Sequence, residues 1–225
     1  RTDSSAASDV YKRQVDAVSD DNFDAVADQT VSVSTTDDDV AGFTIVELDG
    51  STEVDESGDT DTFTVVLDAQ PTSDVVITIT SSDTGEATVT STLTFTPANW
   101  DTPQVATITG VDDDIIDGSQ TSTITVSIDD ANSDDDFDAI ADQTVSVSTT
   151  DDDVAGFTVA ETDGSTGVDE SGTTDIITVV LNAQPVSDVV MAISSSDASE
   201  TAVNGSTANN NSLTFTSANW DTPQS

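Results

Sequence analysis

The chain has 225 residues, 45 of them acidic and 3 basic, for a formal net charge of -42. All three cations, Arg1, Lys12 and Arg13, lie at the start, which excludes a nucleic-acid surface and attraction to an anionic membrane, since both need clustered positive charge. There is no Cys for a disulfide or thiolate site, no His to serve as general base or metal ligand, and no apolar run of membrane-spanning length.

Residues 1–14 differ in kind from the rest of the chain. They hold every basic residue and the only Tyr, Tyr11, and they look like a translated sequencing adapter carried over from assembled environmental DNA. They are therefore set aside as a non-native leader.

Beyond them the chain repeats itself. Residues 23–43 recur as 137–157 with Val26 against Ile140 as the single change, an offset of 114. Residues 54–58 recur as 168–172, and 93–104 as 213–224, where six extra residues near 204–211 mark a tolerant surface loop. The expected organisation is the end of one repeat at 15–39, a complete repeat at 40–153, and a truncated next repeat at 154–225. Near-identical neighbours point to recent duplication and to a parent protein with more copies.

Within the complete repeat, Thr/Val alternation predicts strands at 42–48, 62–67, 75–80, 92–96, 104–111, 121–128 and 144–149. Turns rich in Asp, Gly, Ser, Asn and Pro separate them. About seven short alternating strands in a unit of this size predict an all-β chain of tandem Ig-like Greek-key sandwiches. A β-solenoid would show a much shorter period.

The acid is not spread evenly. Segments 62–67, 75–82, 102–111 and 145–150 hold next to none, and their outward positions carry Thr and Ser. The carboxylates gather in runs between strands: Asp37, Asp38 and Asp39; Asp112, Asp113 and Asp114 with Asp117; Asp134, Asp135 and Asp136; Asp151, Asp152 and Asp153. Adjacent like charges repel, and a hard divalent cation removes that cost. Calcium takes six to eight oxygens in irregular geometry, so aspartates from several loops suit it. A merely solvated acidic surface would carry acid on the strand faces as well.

Three blocks in this order and spacing resemble the Calx-beta family of calcium-binding sandwiches. They are 54–58 (Val-Asp-Glu-Ser-Gly), 111–117 (Val-Asp-Asp-Asp-Ile-Ile-Asp) and 151–156 (Asp-Asp-Asp-Val-Ala-Gly), the last also present at 37–42. The resemblance covers about 210 residues. It implies carboxylate ligands from Glu56, Asp112, Asp113 and Asp117, a backbone carbonyl from Ile115, and closure by Asp151, Asp152 and Asp153. Asp37, Asp38, Asp39 and Glu170 are the counterparts in the flanking repeats. The sequence departs from the family at Gln120, where an acid is common, and in lacking an Asp-Tyr element, for which Asp83 or Glu86 is only a loose substitute.

Other motifs read as structure. Asp83-Thr84-Gly85 matches the aspartic-protease triplet, but Ser81 and Ser82 precede it and the second copy is Asp197-Ala198-Ser199, so it reads as a turn. Trp100 and Trp220, at equivalent places, read as core residues beside a loop rather than a sugar-stacking platform. The expected role is non-enzymatic: a calcium-rigidified extracellular or cell-surface spacer or adhesion module, its partners calcium, neighbouring repeats and cell-surface or matrix polysaccharide. The rivals are a carbohydrate-binding accessory module of a secreted hydrolase and an intracellular calcium sensor.

Overall fold

The computed structural model describes residues 8–13, 22–23, 26–27, 29–48, 50–203 and 211–225. The inserted loop expected near 204–211 lies almost wholly outside them. β1 (Ser8–Arg13) pairs antiparallel with β2 (Gln29–Ser34), so part of the expected leader forms a strand. β2 is the repeat counterpart of β11 (Gln143–Thr150), and an exposed strand edge pairs readily with any extended neighbour.

The complete repeat is a two-sheet sandwich. One sheet runs β3 (Phe43–Glu47), β5 (Thr60–Leu67), β9 (Gln104–Gly110), β7 (Ala87–Val89). The other runs β4 (Thr52–Asp55), β11, β10 (Gln120–Ile128), β6 (Val75–Ser81), β8 (Thr92–Phe95). All neighbours are antiparallel except β4 beside β11. The seven expected strands are all present, joined by two short ones, β4 and β7.

Alternation sorts the side chains. Phe63, Val65, Ile77, Ile79, Phe95, Ile108, Ile124, Val126 and Val147 turn inward and are buried. Thr and Ser alternate with them on the outer faces, where β-branched side chains suit a pleated surface. Trp100 packs against the edge of this core, as expected, and its carbonyl accepts from the Leu67 N–H at 3.2 Å. At the end of the sandwich where β11 begins, Asp134 precedes a 3₁₀ turn, Asp135–Phe137, and accepts from the backbone N–H groups of Thr72 (2.7 Å), Ser73 (2.8 Å) and Asp136 (3.1 Å) and from the Thr72 hydroxyl (2.7 Å).

In the following repeat, β12 (Phe157–Glu161) pairs with β13 (Ile177–Leu181), and β14 (Val189–Ala192) with β15 (Ser212–Phe215). These are the counterparts of β3 with β5 and β6 with β8. Val179, Leu181, Leu213 and Phe215 form a small core of their own, with Trp220 against it.

Candidate metal centre

Four strand ends meet at one end of the sandwich. β4 runs parallel to β11 with Asp55 opposite Thr150, so Glu56 and Asp151 leave their strands side by side. The Glu56 N–H donates to the Thr150 carbonyl at 3.2 Å, continuing that ladder by one bond. In the other sheet Ala87 pairs with Gly110, which puts Glu86, just before β7, beside Val111, just after β9; the Val111 N–H donates to the Glu86 carbonyl at 2.9 Å. The two sheets touch here only because residue 110 is glycine. A Cβ at Gly110 would lie 1.8 Å from the Asp55 carbonyl oxygen.

The loop after β9 is folded back by Asp113 within it and by Asp151, just after β11. Asp113 Oδ1 accepts from the Ile115 N–H at 2.6 Å. Asp151 Oδ2 accepts from the N–H groups of Asp117 (3.0 Å) and Gly118 (2.7 Å), and Asp151 Oδ1 accepts from the Asp153 N–H (2.8 Å). Gly118 has φ +75°, a conformation that favours glycine.

Carboxylate oxygens of Glu56, Glu86 and Asp117 come within 4.8 Å of one another, as do those of Glu56, Asp151 and Asp153. Glu56 belongs to both groups and is 1% exposed. Its Oε2 is buried without a hydrogen-bond partner, and so are Glu86 Oε2 and Asp153 Oδ2. Buried polar atoms are nearly always satisfied, so three orphan carboxylate oxygens in one cluster lack a counter-charge.

The electrostatics agree. Burial, then the charges of Asp113, Asp151, Glu86 and Asp117, push the Glu56 carboxyl up to about 7. Burial followed by Asp117 and Asp113 raises Glu86, and burial followed by Asp114 and Asp151 raises Asp153. Asp151 moves the other way, lowered by its bonds from Gly118 and Asp153. An all-oxygen set of five carboxylates fits a hard cation such as calcium and offers nothing to a soft one.

Of the residues expected from sequence, the structure brings together Glu56, Asp117, Asp151 and Asp153, with Asp113 beside them as a neighbouring charge. Asp112 and Asp152 are exposed and outside both groups. Ile115 lies in a parallel bridge with Gln184 of the next repeat, whose bonds run through Asp114 C=O and Ile116 N–H and leave the Ile115 carbonyl unused among the described residues. Asp37, Asp38, Asp39 and Glu170 are exposed and join no cluster among the described residues.

No family model matches the chain, and no curated protein matches it. Among solved structures it is similar to the apo Calx CBD1 domain (16% identity, 49% of this chain and 98% of that one, TM-score 0.36). It is also similar to CBD12 from CALX1.2 (17% identity, 76% and 69%, TM-score 0.36) and to surface layer protein SbsC domains 1–6 (18% identity, 85% and 23%, TM-score 0.37). At these values the likeness carries nothing about function, and the sandwich stands on its own strand pairing.

Glu86 is the ligand candidate that motif reasoning leaves at the margin. It sits in no acidic run, but the repeat does mark it: Glu86 is matched by Glu200, each shortly before a Val, Val89 and Val203.

Proposed function

We propose that the complete repeat binds calcium at the Glu56 cluster and serves as a stiffened extracellular spacer or adhesion repeat, without catalytic activity. The observation that carries this reading is Glu56 itself. A carboxylate that is 1% exposed, with an orphan oxygen and four more carboxylates beside it, has no Lys or Arg anywhere after Arg13 to balance it. Glu56, Glu86, Asp117, Asp151 and Asp153 would supply the oxygens. Asp113 would fold the loop through its bond to Ile115, as Asp151 does through Asp117 and Gly118. When bound, the cation would tie β4, β7, the loop after β9 and the start of the inter-repeat linker to one point.

Isothermal titration of the chain with calcium tests this. Saturable binding that Glu56→Gln and Asp153→Asn each weaken tenfold or more supports the site. Heats indistinguishable from those of sodium at matched ionic strength reduce the cluster to a solvated acidic end. Trp100 is packed on the core, which weakens the rival sugar-platform reading. A chain that binds soluble polysaccharide in a Trp100-dependent way would restore it.

A further inference from the structure

Among the described residues, two backbone connections join the complete repeat to its successor. One is the covalent linker, residues 151–156, between β11 and β12. The other is a backbone pairing between the acidic loop and a turn of the next repeat. The Gln184 N–H donates to the Asp114 carbonyl at 2.6 Å, the Ile116 N–H donates to the Gln184 carbonyl at 3.2 Å, and Ile115 bridges Gln184 in parallel register.

The local chemistry explains the pairing. Asp113 turns the loop by taking the Ile115 N–H, which leaves Asp114 C=O and Ile116 N–H on the opposite side of the strand-like segment. Gln184 lies between buried Ala183 and Pro185 in the connection from β13 to β14. Pro185 has no N–H, so the edge offered is one residue wide and the pairing cannot spread into a longer strand. Because the bonds use backbone alone, only the turn geometry has to be kept from repeat to repeat.

The same turn occurs in the complete repeat as Ala69-Gln70-Pro71, between β5 and β6, with Ala69 and Pro71 buried. Among the described residues neither the N–H nor the C=O of Gln70 is bonded, and Gln70 is exposed while Gln184 is half-buried. Its side chain donates to the Pro97 carbonyl at 2.7 Å, which holds the turn without using the edge.

We propose that consecutive repeats are joined at two points, linker and clasp, and that the Gln70 turn is the docking edge for the acidic loop of an upstream repeat. A single short linker leaves a hinge, whereas a second attachment beside it removes the hinge's freedom. The proposal rests on the spacer reading but not on its calcium.

Two measurements on the full chain test it. In amide hydrogen exchange, Gln70 and Gln184 share the same preceding residue, Ala, so their unprotected rates match. Gln184 is expected to exchange at least tenfold more slowly than Gln70, and Ile116 at least tenfold more slowly than its own unprotected rate. Second, the chain has no Cys, so an I115C/Q184C pair has one partner only. Bridge-paired residues lie within disulfide reach, and the pair is expected to oxidise within the monomer while I115C/Q70C keeps free thiols. Equal exchange at Gln70 and Gln184 together with free thiols in I115C/Q184C would overturn the clasp. Calcium titration of the same samples separates the two readings: a disulfide without calcium binding fails the metal site alone, and calcium binding without the disulfide fails the clasp alone.

Discussion

Glu56 and Asp134 are both buried carboxylates, and the difference between them is what each finds there. Burial alone would raise Asp134, but the bonds from Thr72, Ser73 and Asp136 overcome it and lower its carboxyl to about 2. A depressed carboxyl adds stability that is complete above its unfolded value, near 3.8, and is lost as pH falls through 2. Asp134→Ala is expected to cost about 2 kcal/mol at pH 7 in a urea melt, with the deficit shrinking toward pH 2. Glu56 has the opposite sign. Its carboxyl is raised from 4.5 to about 7, so in chelator its contribution is intact at pH 4 and is lost as pH rises through 7. Glu56→Gln is therefore expected to melt higher than wild type in chelator at pH 8 and lower than wild type in millimolar calcium. A melting temperature lowered in both conditions would mean that Glu56 only packs.

At the scale of elements, the site depends on strand ends being brought close. Gly110→Ala sets a methyl against the Asp55 carbonyl and must push β4 away from β9. We expect a loss of about 3 kcal/mol and weaker calcium binding, although residue 110 offers no ligand. Unchanged affinity would show that β4 does not position Glu56. Much of this architecture is legible in the residues alone: the Thr/Val alternation marks every long strand because each has one wet and one buried face. β4 and β7 are not legible in this way. Asp55 and Glu53 give β4 the look of a loop, and β7 has only Ala87, Thr88 and Val89; both form because longer neighbours, β11 and β9, offer edges. The acidic runs are legible as runs but not member by member. Extended backbone turns alternate side chains to opposite sides, so Asp151 and Asp153 face the cluster while Asp152 faces water, and Asp113 is half-buried between exposed Asp112 and Asp114.

At the scale of the whole molecule, the distribution of charge decides the behaviour. The outer faces of the sheets carry Thr and Ser, and a net charge of -42 with no cation after Arg13 is concentrated at strand ends and junctions. Monovalent salt screens that repulsion at any site. A bound calcium acts only where the oxygens converge, and it stabilises the folded state by mass action, about 1.4 to 2.7 kcal/mol at ten to a hundred times its dissociation constant. Extracellular modules bind with constants of about 10⁻⁴ to 10⁻³ M, so millimolar calcium is the informative range. The most direct measurement is the thermal melt of the chain in calcium and in sodium at one fixed ionic strength. Calcium held at the Glu56 cluster predicts a melting temperature several degrees higher in calcium, with the excess abolished by Glu56→Gln. Coincident melts in the two salts would contradict it.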